Sequence, residues 1–289
     1  INVVLLADQS PADASLRSFI QQLVSLLIIF LMVKTTSGSL LRLCIGLCLS
    51  PILVSAVFNV TLFAGRYKQY SPSITYVDFH QVPALMKLGV QFFIIQIAGI
   101  IQYQMVNFLI IRHYGPNDVT AYNIAHKYFN VLYMVWGILI TPVWAAVTDA
   151  FSKKDFTWVK NTQKKYLKLF FFFSIIGILM LAFSNQAYRL WVGGSVSVSF
   201  NLSLWVFVYI MVLTFGSIYV NILNGAGELK IQTIACMISP LVFIGTTYLL
   251  IYLGCDSSSI IIGSIIANFN GVILAPIQYR SLIKQRLKQ

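Results

Sequence analysis

The stretch Val119–Lys168 decides the fold. It reads VTAYNIAHKYFNVLYMVWGILITPVWAAVTDA from Val119 to Ala150 and FSKKDFTWVKNTQKKYLK from Phe151 to Lys168. The first part is mostly apolar and longer than the about 20 residues that a helix, rising about 1.5 Å per residue, needs to cross a bilayer. The second part is the densest cluster of lysines in the chain. An apolar helix followed by a basic connection predicts a membrane span that ends at a basic membrane face.

The composition predicts a polytopic membrane protein. Hydrophobic residues make up 58% of the chain and charged residues 10%, whereas soluble domains are about 45–50% apolar. The net charge of +12 does not indicate nucleic-acid binding, because the cations lie between apolar runs, where they act as topology signals. We therefore expect membrane lipids and no nucleic acid among the partners.

Hydropathy predicts an all-α protein with about eight transmembrane helices. The fourth is the central stretch, with a break or hinge near Pro142. The other spans are predicted at 16–33, 40–63, 87–111, 166–184, 200–223, 231–253 and 260–277.

The distribution of cations predicts the orientation. Alternate connections place many cations on one side and only Lys34, Arg42, Arg112 and Arg189 on the other, with Lys127 inside the membrane. The richer side is predicted to be cytoplasmic, and the C-terminus lies there. Its cations are Arg17, Arg66, Lys68, Lys87, Lys153, Lys154, Lys160, Lys164, Lys165, Lys168, Lys230, Arg280, Lys284, Arg286 and Lys288.

One face of the fourth span is polar. Asn123, Lys127 and Asn130 follow each other at i, i+4 and i+7, with Thr120 one turn earlier. A lysine inside a membrane helix costs about 2.5–3.5 kcal/mol unless it reaches water or a partner. Lys127 is therefore the first candidate for a functional residue, and the alternative is that its side chain snorkels to the nearer interface.

The third span carries several amides. Gln91 and Gln102 lie close in angle to Lys87, and Gln96 and Asn107 form a second polar line. At least one line must face protein or water rather than lipid. Hydrogen bonding between helices and the lining of a cavity are both open interpretations.

Signatures of soluble enzymes and metal sites are absent from the sequence. There is no P-loop, GxSxG or HExxH motif, and the four cysteines show no metal-ligand spacing. None of the eight acidic residues lies deep in a span, which disfavours a membrane carboxylate that binds protons or organic cations. We expect neither a cofactor, a metal nor an enzymatic activity.

The chain resembles bacterial polysaccharide-lipid flippases, the O-antigen (Wzx-type) transporters of the MATE-like MOP exporter superfamily. The resemblance starts at Leu85 and extends to the end of the chain. It is carried by GPNDVTAYNIAHKY at Gly115–Tyr128, TPVWAA at Thr141–Ala146, KKDFTWVKN at Lys153–Asn161, RLWVG at Arg189–Gly193 and PIQY at Pro276–Tyr279.

This resemblance implies a MATE-like MOP flippase architecture of two six-helix lobes around a cavity that opens alternately to each side. Residues 78–289 then form a complete C-terminal lobe, and residues 1–77 form the last two helices of the N-terminal lobe with a linker. About four N-terminal helices of the family architecture are missing, so we expect an N-terminally truncated sequence.

The resemblance also implies a function. Such flippases move a polyprenyl-pyrophosphate-linked oligosaccharide across the bacterial cytoplasmic (inner) membrane for O-antigen, lipopolysaccharide, capsule or exopolysaccharide biosynthesis, and polysaccharide polymerase machinery is an expected partner. Lys127, Arg112 and Lys87 are then expected to bind the pyrophosphate. The expected glycan ligands are Gln91, Gln96, Gln102, Asn107, Asn123 and Asn130.

Two alternatives remain. A MATE-type drug/cation antiporter has a similar fold, and a basic cavity without deep acids argues against it. A polytopic membrane glycosyltransferase or polymerase would need acids, arginines or histidines on a sizeable loop for acid–base chemistry, and the predicted outer connections are short.

Overall fold

A computed structural model describes residues 1–8, 10–35, 40–73, 78–193 and 196–286, and every regular element in this part of the chain is helical. The α-helices are α1 (Asn2–Ala7), α2 (Pro11–Thr35), α3 (Leu40–Ala64), α4 (Val82–His113), α5 (Pro116–Ser152), α6 (Phe156–Ala182), α7 (Ser184–Val192), α8 (Phe200–Gly225), α9 (Lys230–Tyr252), α10 (Ser258–Ala267) and α11 (Ala275–Arg286). Among the described residues, seven helices are long and apolar enough to cross a membrane, and a bent pair at 258–286 makes eight if it counts as one span. The all-helical polytopic fold with about eight spans is confirmed.

The chain divides into two compact units, Ile1–Gln81 and Val82–Gln289, which we call unit 1 and unit 2. In unit 1, α2 packs against α3, and a charged cluster ties the end of α3 to the start of α2. Arg66 lies 3.0 Å from both Asp8 and Asp13, and the Tyr67 hydroxyl donates to Asp8 at 2.6 Å. The hydrogen bond from Tyr67 lowers the pKa of the Asp8 carboxyl. Because these ion pairs are exposed, they contribute little to the free energy of folding.

Unit 2 is organised around α5, which packs most extensively against α8. Buried residues recur every three or four positions along one face of α5 and form a continuous stripe: Ala125, Phe129, Leu132, Trp136, Ile140, Val143 and Val147. The Trp136 ring is fully buried, and its indole N–H donates to the Ser217 hydroxyl on α8 at 2.7 Å. The central stretch therefore forms the core of unit 2.

The helices after α5 differ from their predicted bounds. α6 begins at Phe156 rather than near 166, because the Asp155 carboxylate caps the helix by accepting from the Trp158 N–H at 2.9 Å. α7 was predicted as a connection. Its Tyr188 is buried and hydrogen-bonds the Ser203 hydroxyl at 3.1 Å, and burial raises the pKa of this tyrosine to about 12.

The last predicted span is broken. α10 ends at Ala267, residues Asn270–Leu274 form a π-helical turn, and the two halves meet at a bend of 41°. The turn lies against α8 so closely that a Cβ on Gly216 would come within 2.8 Å of the Gly271 Cα. Two glycines therefore allow the backbones to touch at the break.

A polar cluster joins three connections at one end of unit 2. The Ser257 hydroxyl donates to Asp118 at 2.8 Å, and the Asn201 amide donates to Asp256 at 2.9 Å. The Tyr114 hydroxyl donates to the Cys255 carbonyl at 2.8 Å. These bonds tie the start of α5 and the start of α8 to the connection between α9 and α10.

Candidate functional site

Unit 2 contains a polar cavity of about 400 Å³, within the range of about 300–1,000 Å³ that is usual for small-molecule sites. It lies between α4, α5, α8, α9 and the broken last span, and we call it the amide cavity. Among the described residues that line it there is no Asp, Glu, Lys, Arg or His. Its polar lining residues are Gln102, Tyr103, Tyr133, Tyr209, Ser217, Asn221, Gln232, Cys236, Ser239, Asn268 and Asn270.

Some of these groups are held in place by other protein groups. Gln102 on α4 accepts a hydrogen bond from the Ser239 hydroxyl on α9 at 3.0 Å. Asn221 donates to the Ser217 carbonyl one turn earlier on α8 at 2.8 Å, which leaves its side-chain oxygen without a protein partner among the described residues. Gln102 and Asn221 are thus oriented before any ligand arrives, which lowers the entropic cost of binding.

Other polar groups have no partner. Gln232 is only 6% exposed, and its Oε1 makes no hydrogen bond in the described part of the chain. The side chains of Tyr209, Asn268 and Asn270 also make no hydrogen bond there. A buried carbonyl without a partner, such as Gln232 Oε1, costs about 1–3 kcal/mol. The half-buried side chains of Tyr209, Asn268 and Asn270 are open to water or a ligand in the cavity.

The break in the last span supplies two of the cavity amides. Asn268 follows the end of α10 and Asn270 begins the π-helical turn. Transporters often form their substrate sites from interrupted helices, and π-turns occur frequently at functional sites. The break therefore places the polar side chains of Asn268 and Asn270 in the lining of the amide cavity.

Among the predicted glycan ligands, Gln102 lines the amide cavity. The Asn123 side-chain amide donates to the side-chain oxygen Oδ1 of Asn107 at 3.1 Å, which joins α5 to α4, and neither residue lines the cavity. This contact is of the kind that holds membrane helices together, which was one of the two open interpretations. Gln91 and Asn130 are half-buried outside the cavity, and Gln96 is exposed.

The structure does not bring the predicted pyrophosphate ligands to the amide cavity. Lys127 and Arg112 are exposed, and neither lines it. Lys127 lies eleven residues into α5, about 16 Å along the helix axis. Lys87 lies in α4, but its side chain is outside the described residues. Phosphate binding by these three cations stays a prediction.

The α5 helix continues through Pro142 to Ser152 without ending. Two hydroxyls satisfy carbonyls in the preceding turn: Thr141 donates to Gly137 at 2.6 Å, and Tyr166 on α6 donates to Leu139 at 2.6 Å. Pro142 has no N–H to donate to the Ile138 carbonyl, and these two hydrogen bonds go to the carbonyls on either side of Ile138, so they stabilise the turn beside the proline without replacing the bond it lacks. The predicted break of the helix is wrong, and a hinge role for Pro142 stays a prediction.

Sequence reasoning missed most of the cavity, although one signal was present. Asn221, Gln232 and Asn268 are amides inside apolar runs, which is the criterion that identified Gln102. Tyr133 and Tyr209 carry no such signal, because a tyrosine in an apolar run packs as well as it lines a cavity.

These features define the class of protein: a multi-pass helical membrane protein with an internal polar site at a broken span. The MatE family profile matches residues 93–249, and the chain belongs to the MatE family. No curated protein matches the chain.

Solved structures share the fold. The chain is 16% identical to a MATE protein in complex with MaL6, with a TM-score of 0.82 over 100% of this chain and 66% of that one. It is 16% identical, with a TM-score of 0.81 and the same coverage, to an outward-facing multidrug resistance MATE family transporter of the MOP superfamily.

A third structure is a MOP superfamily transporter from Pyrococcus furiosus described as having a binding pocket of reverse polarity that suggests a different function. It is 18% identical, with a TM-score of 0.73 over 97% of this chain and 64% of that one. The chain thus spans slightly less than two thirds of the length of these structures. Together they establish the MATE-family transporter fold.

Proposed function

We propose that this protein is a flippase that moves a polyprenyl-pyrophosphate-linked oligosaccharide across the bacterial cytoplasmic membrane. The observation that carries the proposal is the uncharged lining of the amide cavity, with its unpartnered amide and hydroxyl groups. The O-antigen, capsule and exopolysaccharide pathways are the biosynthetic settings that use such a substrate. Flipping makes and breaks no covalent bond, so the proposed protein is not an enzyme.

The lining suits the sugar part of such a substrate. Sugar hydroxyls need neutral donors and acceptors, and Gln232, Asn268 and Asn270 offer both. Sugar rings also present C–H faces that pack against aromatic rings, which Tyr133 and Tyr209 supply. A cavity of about 400 Å³ lies in the size range of small-molecule sites, so it suits a short glycan rather than a long polymer.

The lipid part has a separate place in the proposal. The pyrophosphate carries charges that the amide cavity does not neutralise, and Lys127 remains the proposed cation because it is exposed and makes no ion pair with any described residue. The prenyl chain stays in the bilayer. The C-terminus is proposed on the cytoplasmic side, and polymerase machinery on the outer side would receive the glycan.

The second candidate is a drug or cation antiporter, favoured by the fold shared with multidrug transporters. Tyrosine rings bind organic cations, so Tyr133 and Tyr209 also fit this function. The lining of the amide cavity disfavours an antiporter, because the described cavity residues include no carboxylate that could neutralise the charge of a bound cation or exchange a proton. The transporter with reversed pocket polarity is an example in which the fold accompanies a proposed different function.

The test is transport by the purified full-length protein in vesicles. One set of vesicles receives a fluorescent polyprenyl-pyrophosphate oligosaccharide, and a second receives an organic cation with an imposed proton or sodium gradient. The proposal expects transbilayer movement of the lipid-linked glycan and no gradient-driven cation movement. Cation movement without glycan movement would replace the flippase by the antiporter.

A further inference from the structure

A second cavity, between α5 and α6, lies outside the amide cavity. It has a volume of about 370 Å³ and lies beside Pro142. We call it the α5–α6 groove, and its lining residues are Pro142, Val143, Ala146, Trp158, Asn161, Thr162, Lys165 and Tyr166. Its composition differs from that of the amide cavity. Pro142, Val143 and Ala146 on α5 form an apolar floor, and α6 contributes one lysine and several polar side chains.

The polar groups of the groove lack protein partners. Lys165 and Asn161 are exposed, and Thr162 is half-buried. None of the three side chains forms a hydrogen bond or an ion pair within the described part of the chain. An ammonium, an amide and a hydroxyl on adjacent turns of α6 form a donor set for a phosphate.

The charge around the groove is strongly positive. Lys160, Lys164 and Lys168 follow each other at intervals of four residues on α6, and all three are exposed. The two carboxylates beside the α5–α6 connection are engaged elsewhere: Asp155 caps α6, and Asp149 pairs with Lys153 at 2.7 Å. An anion near Lys165 therefore meets several cations and no free acid on these two helices.

The groove lies at the depth of a lipid headgroup. Lys165 is 17 residues from Ala182, the far end of α6, which corresponds to about 26 Å of helix. Since the hydrocarbon core is about 30 Å thick, Lys165 lies near its basic, cytoplasmic boundary. Tyr166 is adjacent to Lys165, and Trp158 is seven residues, about 10 Å of helix, closer to the basic end of α6. Amphipathic aromatic side chains are enriched in this interfacial zone.

We infer that the α5–α6 groove binds an anionic phospholipid of the cytoplasmic leaflet. The lipid phosphate accepts from Lys165, Asn161 and Thr162, and an acyl chain packs along the apolar floor at Pro142 and Ala146. The inference goes beyond the proposed transport function, because it holds for a flippase and for an antiporter alike.

The experiment uses Trp158 as a reporter in the purified full-length protein. Phosphatidylglycerol and phosphatidylcholine with brominated acyl chains are titrated in turn, and quenching of tryptophan fluorescence is measured. Brominated phosphatidylglycerol is expected to quench at lower concentration than brominated phosphatidylcholine. A Trp158→Phe variant identifies the quenched signal, since it should lose most of this difference.

Lys165→Gln and Lys164→Gln form a matched pair, because they remove the same charge from adjacent positions and only Lys165 lines the groove. Lys165→Gln should weaken phosphatidylglycerol binding about fivefold, from about 1 kcal/mol per lysine near an anionic surface, and Lys164→Gln should weaken it less. Equal melting temperatures show that both variants fold.

Three results would overturn the inference. Equal weakening by both variants would show a diffuse attraction to the basic face rather than a site. Equal quenching by both phospholipids would show that the phosphate is not recognised. Displacement of phosphatidylglycerol by low concentrations of a polyprenyl pyrophosphate would assign the groove to the transported lipid instead.

Discussion

Replacing Gln232 by methionine should raise stability and lower transport at the same time. Gln232 is 6% exposed and its Oε1 has no partner among the described residues, so the folded protein carries the cost of an unsatisfied carbonyl. That cost is about 1–3 kcal/mol, and methionine has a similar length without the polar atoms. The free energy of unfolding should therefore rise by up to that amount, less whatever a cavity water already restores.

The effect on transport has the opposite sign. If a sugar hydroxyl donates to the Gln232 carbonyl, its loss removes about 0.5–1.5 kcal/mol of binding, which corresponds to about two- to tenfold. Transport of the lipid-linked glycan, measured in vesicles below saturation, should fall by that factor. The melting temperature of the same purified variant should rise by a few degrees.

Gln104 provides the control, because it is an exposed glutamine on α4 that does not line the amide cavity. Gln104→Met should leave both quantities nearly unchanged. A Gln232→Met variant that melts lower and transports less would show a structural glutamine. One that melts higher and transports normally would show that the substrate does not touch Gln232.

Three further perturbations test other parts of the account. Gly216→Ala places a Cβ 2.8 Å from the Gly271 Cα, so it should lower stability by about 1–3 kcal/mol in a melting experiment, whereas Gly99→Ala, with nothing within 4 Å, should not. Partial burial alone would raise the pKa of Asp256, but the hydrogen bonds from Ser258 and Asn201 outweigh it, so the pKa of Asp256 in the folded protein is lowered. The stabilisation that the Asp256 carboxylate contributes is therefore present above about pH 4 and is lost as the pH falls through the lowered pKa. Asp256→Asn should reduce the acid-induced drop in melting temperature. Lys127→Ala at equal folded amounts should reduce glycan-lipid transport at least tenfold while Lys127→Arg retains it, and equal transport by all three proteins would show that Lys127 only snorkels.

The positions of the spans could be predicted because the bilayer imposes one length on every apolar run. The ends of the helices could not, because polar residues also form helices once they are capped. The basic turns before Lys168 belong to α6 through the Asp155 cap, although their lysines are not apolar. Hydropathy did not predict α7 either, because a buried hydrogen bond between Tyr188 and Ser203 holds this short helix in place.

The candidate site was only partly predictable. Amides inside apolar runs mark helix contacts and cavities equally, so Gln102 and Asn107 had the same signal and have different surroundings. The sequence Asn268-Phe269-Asn270-Gly271 contained a stronger sign, because three residues that favour turns lie within four positions of an apolar span. It indicated the break that the single predicted last helix overlooked.

The most direct test of the central claim, that the amide cavity receives the glycan, uses the thiol of Cys236. Cys236 lines the cavity, whereas Cys255 is exposed in the connection after α9. With Cys44 and Cys48 replaced by serine, a small water-soluble maleimide labels the two remaining thiols, and mass spectrometry measures the rate at each. A glycan in the amide cavity should make a polyprenyl-pyrophosphate oligosaccharide slow the labelling of Cys236 severalfold and leave that of Cys255 unchanged, while the polyprenyl pyrophosphate without sugars should protect neither thiol. Unchanged labelling of Cys236 at saturating glycan-lipid, or equal protection by the sugar-free lipid, would contradict the claim.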